Sequence, residues 1–113
     1  KQNIRAGVKY LLFLNNYWSK TIYNREERLK FILASYNGGL THVKDAQRLA
    51  EKYGKDPALW DNNVEEFLSK KSDPAFYQDA LTRGGYCKCE EPIQYVKSVL
   101  LRYEEYKIHI TPA

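Results

Sequence analysis

The sequence predicts an all-α domain, and three observations carry that expectation. Apolar residues recur at helical spacing in segment after segment, the Val/Ile/Thr alternation of strands is absent, and Asp-Pro pairs and glycines stand where helices start and stop. A chain of 113 residues makes one domain and buries roughly two-thirds of the surface it exposes when unfolded.

The first helix is expected over about residues 3–17. It is apolar almost all round through its middle, the pattern of a buried helix. A second helix, Arg25 to Tyr36, places Leu29, Ile32, Leu33 and Tyr36 on one face, with Glu26 four residues before Lys30 as a supporting pair. Gly38-Gly39 stops it. The third runs to about Tyr53 on a stripe of Val43, Ala46, Leu49, Ala50 and Tyr53, and Gly54 stands where a left-handed cap is wanted. Asp56-Pro57 and Asp73-Pro74 each read as an N-cap followed by proline, opening helices over roughly 57–70 and 74–80. Residues 81–90, with Gly84-Gly85, read as a loop. The last helix is expected from Pro92, with Ile93, Val96, Leu100 and Tyr103 turned inward. Beyond Lys107 the tail, with Pro112, is expected to fray.

Composition narrows the function classes. Hydrophobic residues make up 43% and charged residues 28%, which excludes a disordered chain. No apolar run approaches the ~20 residues that cross a bilayer. The net charge of +4 would suit a polyanion. However, Arg25-Glu26-Glu27-Arg28 and Glu104-Glu105-Tyr106-Lys107 interleave signs where phosphate tracking needs a segregated basic face, so no nucleic acid partner is expected. Cys87 and Cys89 flank a single residue, a spacing that argues for unpaired thiols: a bond so short in sequence is expected to be strained, and zinc ligands usually come as Cys-x-x-Cys pairs. His42 and His109 are lone and badly spaced to complete a metal site. Neither a metal nor a cofactor is expected. The absence of Met and the helical periodicity already under way at Ile4, Val8 and Leu11 suggest a piece of a longer chain.

Two constellations could carry chemistry. In Ala34-Ser35-Tyr36-Asn37-Gly38-Gly39 a tyrosine and an asparagine sit where a helix ends at two glycines. Tyr36 offers an apolar ring face and a hydroxyl, Asn37 offers donors and an acceptor, and the glycines let a ligand approach the backbone. A core tyrosine beside a glycine-stopped helix explains the same residues without a ligand. In Glu91-Pro92-Ile93-Gln94-Tyr95-Val96, proline in the first turn puts Glu91 at or beside an N-cap, where the helix dipole favours the ionised carboxylate. Glu91 would then be an acceptor or orienting group, and simple capping is the competing reading. Glu90, next door, stays open as the carboxylate that faces inward. The pairs Glu26/Glu27, Glu65/Glu66 and Glu104/Glu105 point in different directions from their helices and read as solvated faces. Trp18 and Trp60 read as core residues.

These segments together resemble the soluble-lytic-transglycosylase type of lytic murein transglycosylase domain. Asn3-Ile4-Arg5-Ala6-Gly7-Val8-Lys9-Tyr10-Leu11 is similar to the family's Asn-Ile-x-Ala-Gly-x-x-Tyr-Leu helix. Ser35-Tyr36-Asn37-Gly38-Gly39 resembles its Ala-Tyr-Asn-x-Gly motif, with Ser35 in place of Ala. Glu91 to Val96 resembles its Glu-x-x-x-Tyr-Val segment. Arg48 to Pro57, followed by Trp60, looks most like the membrane-bound lytic transglycosylase F branch. The resemblance implies a lysozyme-like fold, truncated at its N-terminal side. It implies cleavage of the β-1,4 bond between N-acetylmuramic acid and N-acetylglucosamine with closure of a 1,6-anhydro ring.

Tyr36, Asn37, Glu91 and Tyr95 would contact substrate. The catalytic acid of the family lies in a Glu-Ser motif, with a Gly-Leu-Met-Gln motif after it; both would precede residue 1, so no catalytic residue is expected in this chain. The implied partner is the peptidoglycan glycan strand, in the periplasm or at the outer membrane of a bacterial envelope. A non-catalytic peptidoglycan-binding or scaffolding domain is the alternative. Self-association is expected through the face that truncation leaves open.

Overall fold

The computed structural model describes residues 2–110, with side chains from Ile4 to Lys107. The side chain of Asn3 and the tail containing Pro112 lie outside the described residues. Six α-helices follow in order: α1 (Gln2–Ser19), α2 (Arg25–Gly38), α3 (Leu40–Lys52), α4 (Glu65–Ser69), α5 (Pro74–Tyr77) and α6 (Glu90–Ile110). Among the described residues there is no strand, and no helix is long and apolar enough to cross a membrane. The all-α expectation holds.

The central helix is α2, packed by α1, α3 and α6. Phe31, Ile32, Leu33, Ala34 and Ser35 are buried in succession, which only a helix covered on several sides allows. Asn24 starts it, its side chain accepting from the Glu27 amide at 2.9 Å. A buried aromatic file crosses the core: the rings of Trp18 and Phe31 are 5.0 Å apart, and those of Phe31 and Trp60 5.4 Å. The Trp18 indole donates to Ser35 Oγ at 3.0 Å, so the serine of the Tyr36 segment satisfies a core donor. Both tryptophans are core residues, as expected.

The burial of α1 and α2 is the reverse of the sequence expectation. Only Leu14 and Trp18 of α1 are buried, while Ile4 is 73% and Leu12 64% exposed. One face of α1 meets α2, and nothing among the described residues covers the other. Lys30 pairs with Glu27 and with Asp61, each at 2.8 Å, rather than with Glu26. In this arrangement Glu27 also accepts the Trp60 amide at 2.7 Å and ties α2 to the 60–64 turn.

Gly54 does terminate α3. At φ +82° it takes the left-handed conformation, Lys55 N–H reaches Ala50 C=O at 2.8 Å, and Gly54 N–H reaches Glu51 C=O at 3.1 Å, the paired bonds of a Schellman motif. Asp56 accepts from the Ala58 amide, yet no helix follows Pro57. The chain is extended at Leu59 and left-handed at Asn62 (φ 60°), and α4 begins only at Glu65. Burial of Trp60 against Phe31 sets that path. Asp73 caps α5 as expected, although α5 ends at Tyr77. The last helix starts at Glu90, two residues before Pro92, and continues to Ile110 instead of fraying after Lys107. Tyr103 is 51% exposed and does not join the core.

One buried ion pair organises the irregular half. Asp45 on α3 accepts from Lys71 Nζ at 2.6 Å, and both side chains are fully buried. The same carboxylate accepts from Arg48 at 2.9 Å and from the amides of Arg83 and Gly84 at 2.8 and 2.7 Å. Burial alone would raise the Asp45 pKa. The bonds from Lys71, Gly84 and Arg83 outweigh it and hold the carboxyl below its ordinary value. Asp45→Ala, which strands the Lys71 ammonium, is expected to lose about 3–5 kcal/mol in urea unfolding at neutral pH. Lys71→Met costs less, because Asp45 keeps Arg48 and two amides. The depressed pKa means the Asp45 contribution is present above the unfolded carboxyl value of about 3.9 and is lost as pH falls through the folded value. Urea midpoints measured down through acid therefore fall more steeply for the natural chain than for Asp45→Asn.

Candidate functional site

The segments singled out by sequence converge at the C-terminal end of α2 through two glycines. A Cβ on Gly7 would lie 3.1 Å from the Tyr36 hydroxyl, so the glycine of α1 gives the tyrosine its seat. A Cβ on Gly38 would lie 2.7 Å from Pro92 Cγ, so the first turn of α6 rests directly on the end of α2. Gly39, at φ +102°, then turns the chain at once into α3. The α1 helix, the Tyr36-Asn37 corner and the start of α6 are in this way locked pairwise.

Tyr36 is 40% exposed. Its ring lies 6.0 Å from that of Tyr10, which in turn stacks on Phe13 at 6.1 Å. Sequence reasoning did not single out Tyr10 and Phe13; their three-residue spacing on α1 was the available signal. The three exposed rings form an aromatic strip running from α1 to the α2 corner. Asn37, the next residue, is exposed. Glu91 is exposed in the first turn of α6, one residue before the buried Pro92. Tyr95, one turn later, is half-buried and packs against the core. The structure therefore joins Tyr36 and Asn37 to the aromatic strip, whereas Tyr95 supports the α6 side from within.

A separate cleft lies elsewhere. About 510 Å³ in volume, it runs between α4 and α6 and is lined by Glu65, Glu66, Lys70, Glu90, Gln94 and Lys97 among others. Glu90, not Glu91, faces this cleft. Its charges are largely matched in pairs: Glu66 meets Lys70 at 3.0 Å, and Glu65 meets Lys97 at 3.9 Å. A carboxyl that donates a proton at neutral pH needs a raised pKa. The Lys70 bond pulls Glu66 down and the Lys52 bond pulls Asp79 down, both away from an acid's role, as Asp45 is also held.

The cysteines depart from expectation. Cys87 and Cys89 are paired as a disulfide, because the loop spreads their Cα atoms to 5.2 Å, inside the ordinary range for such a bond. His42, judged badly spaced along the sequence, is close to both in space: a ring nitrogen and the two sulfurs all lie within 4.8 Å of one another. The hydrogen bonds from Arg83 and Gly84 to Asp45, one turn along α3 from His42, bring the loop there. Burial, then the Lys71 charge, lowers the His42 pKa against a smaller opposing effect of Asp45, so the imidazole is neutral at pH 7.

Comparison with known proteins agrees with the sequence pattern. The chain is 38% identical over 104 residues to a membrane-bound lytic murein transglycosylase F of Desulfosudis oleivorans, covering 92% of this chain and 22% of that protein. Against the protein of the same name from Marinobacter nauticus it is 37% identical over 111 residues, covering 98% of this chain and 21% of the other. The Shewanella frigidimarina protein of that name is 38% identical over 104 residues, with 92% and 21% covered. The chain thus spans about a fifth of the length of these relatives. Residues 1–59 match the family described as Transglycosylase SLT domain. The chain belongs to that family, and its all-α architecture is the family's lysozyme-like fold.

Proposed function

We propose that this chain supplies one side of the glycan cleft in a peptidoglycan lytic transglycosylase. The reaction splits the β-1,4 bond between N-acetylmuramic acid and N-acetylglucosamine without water. A glutamic acid protonates the leaving oxygen. The resulting carboxylate takes the proton of the muramic 6-hydroxyl as that oxygen closes the 1,6-anhydro ring. The observation that carries this reading is the pairwise contact of the three family-like segments, Gly7 under Tyr36 and Gly38 under Pro92. The names of the relatives support it as well.

Each residue has a part that suits its chemistry. Tyr36, with Tyr10 and Phe13, offers ring faces to the apolar sides of sugar rings, and its hydroxyl serves their oxygens. Asn37 both donates and accepts toward acetamido and hydroxyl groups. Glu91, exposed in the first turn of α6, accepts hydrogen bonds and orients the strand. Tyr95 acts behind them as a positioning residue. The acid is a different matter: the sequence contains no Glu-Ser pair. The reading therefore needs a carboxyl from outside these 113 residues, in a protein of the bacterial envelope.

Residues 1–113 alone are expected to release no anhydromuropeptides from purified peptidoglycan, scored by mass spectrometry; clear release would overturn the placement of the acid. In the complete encoded protein, Gly7→Val displaces the Tyr36 hydroxyl and should lower kcat/KM by about 100-fold, the scale of a misplaced positioning group. Unchanged turnover in that variant would remove Tyr36 from the site. The open face of α1, with Ile4, Val8 and Leu12 exposed, is further read as a surface that a second copy covers in the isolated chain. Light scattering should show a dimer that Val8→Lys dissociates, and a monomer stable to concentration would count against it.

A further inference from the structure

We propose that His42, Cys87 and Cys89 form a three-ligand site for a thiophilic divalent cation of the zinc type, open when the Cys87–Cys89 bond is reduced. The site is separate from the aromatic strip and does not depend on the proposed glycan reaction. Its ligand atoms come from two elements: the first turn of α3 and the loop that leads into α6. They already lie within 4.8 Å of one another. A tetrahedron built with ordinary Zn–S and Zn–N bonds has edges of about 3.6–3.8 Å, within the span that already encloses the three ligand atoms.

Three features make this a built site rather than a chance cluster. His42 Nδ1 is buried and has no hydrogen-bond partner, an orphan position that ligation would satisfy. Cys89 is 1% exposed and Cys87 half-buried, so water competes poorly for the sulfurs. The support around the ligands is rigid. Gly84 passes so close to the imidazole that a Cβ there would lie 2.9 Å from Nδ1, and its amide is fixed to Asp45 at 2.7 Å. Cys87 N–H is fixed to Lys71 C=O at 3.1 Å. Two thiolates and one neutral imidazole are a soft donor set that suits zinc, and the fourth position is left to solvent.

The reductant is a trialkylphosphine. It attacks one sulfur, the S–S bond breaks, and water supplies both thiol protons and the oxygen of the resulting phosphine oxide. Zinc then displaces the two thiol protons as two Zn–S bonds form. The disulfide form offers only the imidazole and binds weakly, which makes metal loading conditional on the thiol state.

The test is an anaerobic titration of the full chain, reduced with phosphine and freed of metal, with Co²⁺ as the spectroscopic stand-in and Zn²⁺ as competitor. One cobalt per chain with thiolate-to-metal charge-transfer absorption, bleached by Zn²⁺, is expected; the oxidised chain should show neither. Cys89→Ser should abolish the band. His42→Ala should weaken binding by at least the roughly 10–100-fold that losing even an outer partner costs. Absence of the band in the reduced chain, or affinity within twofold after His42→Ala, would overturn the proposal. Should that variant not fold, the ¹⁵N shifts of the His42 ring decide. A large change at one nitrogen on adding Zn²⁺ is expected, and unchanged shifts would exclude the imidazole as a ligand.

Discussion

The Asp45–Lys71 pair is the constraint on which the irregular half of the molecule depends. A fully buried carboxylate is tolerated only if its lone pairs are filled, and here Lys71, Arg48 and two loop amides fill them. The consequence reaches beyond stability. The short 3₁₀ turn Lys70–Ser72 exists where it does because Lys71 must point inward. The 83–84 loop is held to α3 by the same oxygens, and that loop delivers Cys87, Cys89 and the start of α6. Hydrophobic burial could not specify the path of a segment that has so few apolar side chains of its own.

The regular half is specified differently, by close approach. Gly7 and Gly38 remove the side chains that would keep α1 and α6 away from the end of α2. Helices that touch through glycine hold their relative positions more tightly than helices spaced by flexible side chains, because the contact is backbone-limited. That rigidity fixes the relative placement of Tyr10, Phe13 and Tyr36, which come from two different helices. The two devices meet at α6: its first turn is seated on α2 through Pro92, and its approach is set by the loop that Asp45 holds.

Much of this was legible in the sequence, and the misses share a cause. Helix starts and stops carried by local chemistry were readable: Gly54 ends α3, Asp73 caps α5, and Gly38-Gly39 closes α2. Segments whose conformation is set from outside were not. Asp56-Pro57 has the signature of a helix start, but burial of Trp60 against Phe31 pulls the chain straight and delays α4 to Glu65. The exchange of roles between α1 and α2 is also a tertiary effect, since both are apolar enough to be central and only the packing decides. Asp45 left a faint signal, an acid four residues before Leu49 on an otherwise apolar stripe. Lys71 left none, and without that pair neither the path of the loop nor the meeting of His42 with the cysteines follows. Of the site residues, Tyr36 and Asn37 are exposed at the end of α2, while Tyr95 is half-buried by packing that no local pattern reveals.

The electrostatics of the chain bear on how such a cleft would work. The acidic side chains with displaced pKa values, Asp45, Glu66 and Asp79, are each held below the ordinary range by a lysine bond, and Asp45 and Asp79 also by backbone amides. These three carboxylates are committed to their cation partners, so none of them suits the part of a proton donor at neutral pH. A carboxyl that donates a proton at neutral pH needs a different environment, desolvated and without a cation beside it.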